Sequence, residues 1–266
     1  TRAIDVRRLD QRLSLSEPVE ELQPLIDQFN GLMTRVERTY VQLEGFNADV
    51  AHELRTPLAN LIGQTEVALS RERSVQELED TLHSNLEELQ RMAGIVNDML
   101  FLAQADRGVK ARRGAPVSMA ALVRQVVEFH EAPMEDAGLA IDIEGDAQLA
   151  VDEPLVKRAL SNLLGNAIRY AEKGSRLCVR IAHESDTGVR LWVENVGPSI
   201  EAEHIPRLFD RFFRADASRC ELEKPHHGLG LSIVAAIARM HDGFAAAESG
   251  GGRTRVGFSL TGTAGA

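Results

Sequence analysis

The sequence predicts two structural classes in one chain: a helical hairpin that forms a dimeric four-helix bundle, followed by an α/β sandwich. Three observations predict this α plus α+β architecture. Apolar residues recur at steps of three and four from Leu22 to Val50, and again from Leu78 to Ala103. A charged stretch containing glycine then interrupts the pattern between residues 105 and 114. Beyond it, helical and alternating apolar segments are mixed.

The first apolar seam predicts one helix that runs unbroken from about Leu22 past Val50. The preceding segment carries Leu9, Leu13 and Leu15, and then Ser16, Glu17 and Pro18, a pattern typical of a connector followed by a helix start. A solvated helix between two domains is the alternative interpretation of this region.

A second helix is predicted to begin at Ser74, because Ser74 and Glu77 have the spacing of a capping box. The two helices would be antiparallel and joined near residues 70–73. Leu86, Ala93 and Leu100 flank the second seam and leave a wide apolar face uncovered by a single hairpin. Pairing of two copies would bury that face, so the sequence predicts a homodimer.

The C-terminal half is predicted to be a sheet with helices on one face. Helices are expected over residues 119–136, 154–170, 202–209 and 229–241, and strands over 140–144, 148–151, 177–183 and 189–193. A loop is expected over residues 214–227, and two terminal strands should flank Gly250, Gly251 and Gly252.

Composition limits the possible functions. With 266 residues and 44% apolar content the chain can bury a core, and its net charge of −10 argues against nonspecific nucleic-acid binding. Only Cys178 and Cys220 are present, so neither a disulfide framework nor a zinc site is indicated, and a reducing compartment fits. No apolar stretch is long enough to cross a bilayer. The first residue is Thr1 rather than Met, which suggests a fragment.

His52 is predicted to face solvent on the first helix. Phe46, Val50, Leu54, Leu58 and Leu61 form an apolar stripe, and His52 lies on the opposite side of the helix. Arg55 and Thr56 share its neighbourhood, and Glu53 lies on the flank. An isolated exposed histidine would usually be an ordinary surface residue, but the local sequence around this one is distinctive.

Residues 46–58 resemble the H-box of sensor histidine kinases, in which a histidine accepts a phosphoryl group from ATP and passes it to an aspartate of a response regulator. The resemblance implies that His52 is the nucleophile and that Glu53 orients the imidazole and accepts its proton. It also implies that Thr56 aligns a water for the reverse phosphatase reaction.

Asn162 and Asn166 lie one turn apart on the helix predicted over 154–170, on a stripe that also carries Arg158 and Arg169. The stripe could be an ordinary polar helix face, or its amides and arginines could bind Mg²⁺ and phosphates. Residues 162–170 resemble the N-box of the GHKL, or Bergerat, ATP-binding fold. By that resemblance Asn166 is the Mg²⁺ ligand, with Asn162 and Arg169 beside the phosphates.

Asn195 is expected to face a pocket, because the strand from Val189 alternates and places Asn195 on its apolar side. Residues 195–199 align with the family's Asp-x-Gly-x-Gly box, with Asn195 in place of the aspartate that reads adenine and Ser199 in place of the second glycine. Since a neutral acceptor is weaker than a charged one, we expect nucleotide affinity roughly five- to tenfold lower than with Asp.

Residues 228–231 open the last helix, where glycines let backbone N–H groups approach phosphates. They resemble the family's second glycine box, although His226 replaces its usual first glycine. His226 and His227 are more simply explained as loop residues than as a metal site. Residues 208–214 resemble the F-box. The loop cations Arg214, Arg219 and Lys224 could clamp a triphosphate or be solvated.

The resemblance covers nearly the whole chain and is closest to the heavy-metal sensor kinases of the copper and silver type. It implies ATP and Mg²⁺ as substrate and cofactor, an ATP-dependent histidine kinase activity and, in addition, a regulator phosphatase activity. The resemblance further implies which residues bind the nucleotide: Asn162, Asn166, Arg169, Tyr170, Asn195, Gly197, Ser199, Ile200, Arg214, Gly228, Leu229, Gly230, Leu231 and Thr254.

The resemblance also implies a division of the chain into functional parts. Residues 1–40 would be a partial HAMP module and signal helix, 41–105 a dimerisation and histidine phosphotransfer domain, 106–114 a linker, and 115–266 the catalytic ATP-binding domain. The partners implied are a second copy of the chain and a response-regulator receiver domain. The chain would then be the cytoplasmic region of a bacterial inner-membrane protein, and membrane contact would be made only by a sensor part that is absent here.

Two rival hypotheses stay open at this point. A GHKL-type ATPase with another output would not require His52. A signalling scaffold with a degenerate nucleotide domain, suggested by Asn195, Ser199 and His226, would not turn over ATP at all.

Overall fold

The computed structural model describes residue 13 and residues 22–184, 188–215 and 227–262. The expected HAMP connector before residue 22, together with Cys220, Arg219, Lys224 and His226, therefore lies outside the described residues, apart from Leu13. The chain forms two compact units, residues 1–89 and residues 90–266, which divide inside the second helix.

The first two helices form the predicted hairpin. Helix α1 covers Gln23–Leu69, a length of 47 residues that includes Pro57, and α2 covers Val75–Asp106. The predicted capping box is confirmed: the Glu77 backbone N–H donates to Ser74 Oγ at 3.2 Å, and the Ser74 N–H donates to Glu77 Oε2 at 2.9 Å. These bonds cap the start of α2, which follows α1 after a short turn.

The hairpin leaves apolar side chains exposed. Along α2, Leu78, Leu82, Leu86 and Leu89 are 40–66% exposed in the single chain. One polar contact lies among them, because Asn85 Nδ2 donates to Thr65 Oγ1 of α1 at 3.2 Å. The uncovered leucines have the pattern that the predicted bundle would bury.

The second unit contains a five-stranded mixed sheet and a separate two-stranded ladder. The strands are β1 Pro116–Ser118, β2 Ala140–Glu144, β3 Gln148–Ala150, β4 Arg176–His183, β5 Gly188–Val196, β6 Ala245–Gly250 and β7 Arg253–Thr261. The large sheet has the order β2-β4-β5-β7-β6, in which only the β2 and β4 pair is parallel. The short β1 and β3 strands pair with each other.

Among the residues described in this unit, four α-helices accompany the sheet: α3 Met119–Glu128, α4 Glu131–Asp136, α5 Glu153–Tyr170 and α6 Gly230–Met240. The core lies between the sheet and α3, α5 and α6, as the buried side chains of those helices show. On β5, Val189, Leu191, Val193 and Asn195 are buried and alternate with less buried residues. The predicted helical hairpin and α/β sandwich are thus confirmed.

Two helix predictions were wrong in extent. The helix expected over residues 119–136 is split after Glu128, because the ring of Pro133 conflicts with the carbonyl of Phe129 four residues earlier. The helix expected over 202–209 is only a 3₁₀ turn, Ile205–Arg207, since Pro206 cannot donate to the carbonyl of Ala202. The β1 strand, three residues long, was missed. None of the helices in the described ranges is both long and apolar enough to cross a membrane.

Candidate functional site

His52 is exposed on α1, as predicted from the helical pattern. Arg55 and Thr56 are exposed beside it, and Glu53 is half-buried. Pro57 on the opposite side is buried, while the side chain of Phe46 lies outside what the structure describes. The imidazole is therefore open to an incoming reactant, with a carboxylate on the adjacent residue.

Asn195 is a buried polar residue in the second unit. It is 6% exposed and lies at the end of β5, opposite Thr254 of β7, which is 7% exposed. Within the described part of the chain, the Asn195 amide forms no side-chain hydrogen bond. Its amide atoms are not among the fully buried, unpartnered polar atoms of the described residues, so they keep access to solvent, and a ligand that displaces this solvent could hydrogen-bond them.

Gly197 closes the backbone around this amide. A Cβ atom at Gly197 would lie 2.2 Å from the carbonyl oxygen of Tyr170 and 3.3 Å from Asn195 Nδ2. The Glu172 N–H donates to the Val196 carbonyl at 2.8 Å, and the Gly197 N–H donates to Gly252 at 2.9 Å. These contacts hold the end of α5 and the turn between β6 and β7 against the end of β5, so only glycine fits at position 197.

Ser199 has a structural contact where the family pattern has a glycine. Its Oγ accepts from the Gly252 N–H at 3.2 Å. The next residue, Ile200, donates its N–H to Ser249 Oγ at 2.8 Å, and Ser249 Oγ lies 2.7 Å from Thr254 Oγ1. Ser249 was not predicted as a site residue, although the register of the terminal hairpin, which pairs it with Thr254, could have indicated it.

The two asparagines of α5 have different surroundings. Asn162 Nδ2 donates to the Arg158 carbonyl at 3.1 Å, and Asn162 Oδ1 lies where a Cβ on Gly230 would be 3.1 Å away. Asn166 is half-buried, and no described residue hydrogen-bonds its amide. Its oxygen is thus available as a hard neutral ligand of the kind that suits Mg²⁺.

Arg158 shares the polar stripe of α5 with Asn162, Asn166 and Arg169, and its side chain contacts α2. Its guanidinium forms an ion pair with Asp98 of α2 and lies 4.3 Å from the centroid of the Phe101 ring. Arg158 therefore fastens α5 to the C-terminal half of α2. Arg169 is half-buried in the last turn of α5, and Tyr170, which ends that helix, is 48% exposed.

The glycine box is held against the F-box through the backbone. The Phe212 N–H donates to the Gly228 carbonyl at 3.0 Å, and both residues have positive φ, 60° and 67°. A Cβ on Gly228 would lie 2.7 Å from the Phe212 carbonyl carbon. Leu229 is 2% exposed and belongs to the core, whereas Gly230 begins α6 and Leu231 is half-buried.

Side chains near this junction also contact α2. Arg91 Nε donates to His227 Nε2 at 3.0 Å, and Arg211 pairs with Asp106 at 2.5 Å. Arg214 is exposed. The structure thus brings Asn195, Gly197 and Thr254 together at the end of β5, and Asn162 beside Gly230 at the start of α6.

Two domain families match this chain. Residues 42–108 match the His Kinase A (phospho-acceptor) domain, and residues 151–263 match the family described as histidine kinase-, DNA gyrase B-, and HSP90-like ATPase. The first range contains His52, and the second contains Asn166, Asn195 and Gly228.

Curated relatives include three bacterial sensor proteins. The sensor histidine kinase CusS of Escherichia coli K12 is 45% identical over 258 residues, which are 97% of this chain and 53% of CusS. The probable sensor kinase SilS of Salmonella typhimurium is 40% identical over 97% of this chain and 52% of SilS. The sensor protein CopS of Pseudomonas syringae pv. tomato is 39% identical over 80% of this chain and 44% of CopS.

Solved structures show the same fold. A solved chain of the histidine kinase AdeS of Acinetobacter baumannii has a TM-score of 0.62 at 22% identity, and the match covers 79% of this chain and 97% of that solved chain. The histidine kinase ThkA, solved in complex with the response regulator protein TrrA, has a TM-score of 0.66 at 23% identity. The match covers 93% of this chain and 69% of the solved chain. The chain spans about half the length of the curated relatives it matches, 53% in the case of CusS.

Proposed function

We propose that this chain is a sensor histidine kinase that transfers the γ-phosphoryl group of ATP to His52 and then to a response-regulator aspartate. The observation that carries the proposal is the exposed His52, next to Glu53, within the range that matches the phospho-acceptor domain. The predicted resemblance to the copper and silver sensor kinases is consistent with the relatives CusS, CopS and SilS.

The chemistry requires a neutral imidazole with a free lone pair. One ring nitrogen of His52 attacks the γ-phosphorus, the N–P bond forms, and the bond between the γ-phosphorus and its bridging oxygen breaks to release ADP. The imidazole then carries a positive charge and an acidic N–H. Glu53, one residue further along α1, accepts that proton and orients the ring. Positioning and charge stabilisation supply most of the rate.

The second unit would bind the nucleotide. The buried Asn195 would hydrogen-bond the base, with Gly197 and Thr254 shaping the floor of the pocket. The unpartnered amide of Asn166 fits the Mg²⁺ ion that the family uses, through its carbonyl oxygen. When bound, that ion offsets negative charge on the phosphates. Glycines at the start of α6 would let backbone N–H groups approach the phosphates.

We further propose that Thr56 orients a water for dephosphorylation of the regulator, which its exposed position one turn after His52 supports. The active form would be a homodimer through the hairpin, supported by the uncovered leucines of α2. We propose residues 41–105 as the phosphotransfer domain, 106–114 as the linker and 115–266 as the catalytic domain. The relatives, which are sensor kinases, support placing this chain in the cytoplasmic part of a bacterial inner-membrane protein.

The test uses the chain with Mg²⁺ and γ-labelled ATP. The parent should acquire an acid-labile, alkali-stable label, and His52→Ala should not. His83→Ala is the matched control, because His83 is an exposed histidine of the neighbouring helix and should leave labelling unchanged. Equal label on the parent and His52→Ala would place the acceptor elsewhere. ATP hydrolysis without protein label would favour a GHKL ATPase with another output.

A further inference from the structure

We infer that the side chains at the base of this nucleotide pocket can act either as hydrogen-bond donors or as acceptors toward a purine. The pocket therefore accepts 6-oxopurine nucleoside triphosphates of the GTP class as well as ATP. The inference rests on the proposed function, since it takes Asn195 as the residue that contacts the base. It concerns specificity rather than catalysis.

The first observation is the state of the Asn195 side chain. It is 6% exposed, and no described residue hydrogen-bonds its amide. Both ends of the amide, the Oδ1 acceptor and the Nδ2 donor, are thus left to a ligand. An aspartate at this position would offer acceptor oxygens alone.

The second observation is the hydroxyl pair beside it. Thr254 Oγ1 and Ser249 Oγ are 2.7 Å apart, and either of them can be the donor. Ser249 Oγ also accepts from the Ile200 N–H at 2.8 Å and has a second, longer contact of 3.5 Å to the Arg253 carbonyl. When Ser249 donates to Thr254, the Thr254 hydroxyl can donate to a ligand. When Thr254 donates to Ser249, it offers only a lone pair.

These groups can match either purine edge. Adenine presents an amino donor next to the N1 acceptor, and a 6-oxopurine presents an oxygen acceptor next to an N1–H donor. A half-turn of the Asn195 amide exchanges its oxygen and nitrogen, so the same side chain can pair with both edges. At this floor, within the described residues, Asn195, Thr254 and Ser249 can all reverse their polarity.

A fixed acceptor would instead discriminate strongly. A carboxylate can accept the adenine amino group, but it faces the oxygen of a 6-oxopurine without a proton between them. Sites that lose such a pairing reject the unmatched substrate because a buried polar group is left unsatisfied. With Asn195 in place of an aspartate, the pocket lacks the carboxylate that would exclude a 6-oxopurine.

The experiment compares ATP with inosine triphosphate, which replaces the 6-amino group by oxygen and gains an N1–H. Dissociation constants with Mg²⁺ are measured by calorimetry for the parent, Asn195→Asp and Asn195→Ala. The ratio of the inosine triphosphate constant to the ATP constant should be within about tenfold for the parent, and should rise at least about tenfold in Asn195→Asp. GTP is measured in parallel to include the 2-amino group.

Asn195→Ala keeps the inference testable if Asn195→Asp does not fold. Because the amide serves both nucleotides, its removal should weaken ATP and inosine triphosphate by similar factors. A loss confined to ATP would overturn the inference, as would an unchanged ratio in a folded Asn195→Asp. A parent that binds inosine triphosphate more than about tenfold more weakly than ATP would overturn it as well. In those cases ATP binding remains and the proposed function stands, whereas absence of binding by either nucleotide would overturn both.

Discussion

His241 illustrates how a single buried side chain links two elements of the second unit. It is 0% exposed, its Nδ1 lies 2.9 Å from the Ile237 carbonyl, and its Nε2 accepts from the Asp152 N–H at 3.1 Å. Nδ1 therefore carries the proton, and the ring must stay neutral to keep the bond from Asp152, the cap of α5. Burial lowers the pKa of His241 below its ordinary value of 6.5.

This lowered pKa predicts a loss of stability on acidification. Above pH 6.5 the His241 ring is neutral in the folded and in the unfolded chain. Below pH 6.5 the ring becomes protonated in the unfolded chain but stays neutral in the folded chain, because its pKa is lower there. The free energy of unfolding should therefore fall as the pH drops from 6.5 toward the folded pKa, by up to about 1.4 kcal/mol per pH unit for one proton.

Urea unfolding at pH 7.5 and at pH 5.5 measures this effect. His241→Gln, which cannot titrate there, should be less stable at pH 7.5 but should lose less stability on acidification. The control is His183→Gln, which changes an exposed histidine and should keep the parent's dependence. His130 adds a slope of the same sign, since burial also lowers its pKa. If parent and His241→Gln lost equal stability, His241 would not be the titrating group.

The surroundings of Asn195 could be predicted from the sequence, whereas the ion-pair partner of Arg158 could not. Strand alternation alone predicted that Asn195 lies on the apolar side of its strand, and the structure has it 6% exposed on that side. The helical pattern correctly grouped Arg158 with Asn162 on one side of the helix. It did not predict that Arg158 pairs with Asp98, which lies 60 residues earlier in the chain. A partner at that distance is set by packing, which local patterns do not encode.

The junction between the F-box and the glycine box depends on backbone geometry. Gly228→Ala would put a methyl group 2.7 Å from the Phe212 carbonyl carbon, at a φ of 67° that disfavours side chains. We expect it to destabilise the second unit by about 1–3 kcal/mol and to weaken ATP binding. Thermal unfolding and calorimetric titration with ATP would measure the two effects.

Gly94→Ala is the matched control for that substitution. Gly94 lies inside α2 with nothing within 4 Å of an added Cβ. Alanine there should stabilise the helix by about 0.5–1 kcal/mol. Equal effects of the two substitutions would mean that the contact between Phe212 and Gly228 does not constrain the junction.

Asn85 places an unsatisfied polar atom in the apolar seam of α2. Its Nδ2 bonds Thr65, but its Oδ1 is buried without a hydrogen-bond partner. Asn85→Leu should raise the free energy of unfolding of the hairpin by about 1 kcal/mol, and with it the midpoint of helix unfolding, because the desolvated oxygen is removed. Circular dichroism at matched concentration measures this midpoint. A lower midpoint in Asn85→Leu would mean that Oδ1 is satisfied in the assembled protein.

Sequence patterns fixed the type of most helices and strands, and failed where proline or very short pairing intervened. The capping box of Ser74 and Glu77 is local, so it could be predicted to the residue. The split before Pro133 depends on one ring clash, and β1 is held only by its pairing with β3. Periodicity over 11 or more residues is insensitive to such features.

For the whole chain, the exposed apolar face of the hairpin predicts a dimer. Leu82 is 66% exposed in the single chain, and a charge there would face its counterpart across the bundle. Leu82→Asp should therefore shift the chain from dimer to monomer, measured by analytical ultracentrifugation. Phe129→Asp is the control, because Phe129 is 84% exposed on the other unit. A monomeric parent would refute the four-helix bundle.

In the proposed reaction, ATP bound by this chain phosphorylates His52. The most direct measurement is site-resolved mass spectrometry, under alkaline conditions, of the parent and Asn166→Ala after incubation with Mg²⁺ and ATP. We expect one phosphoryl group on the peptide containing His52 in the parent, and its loss in Asn166→Ala. A phosphoryl group on another residue, or an unmodified His52 in a chain that binds ATP, would contradict it.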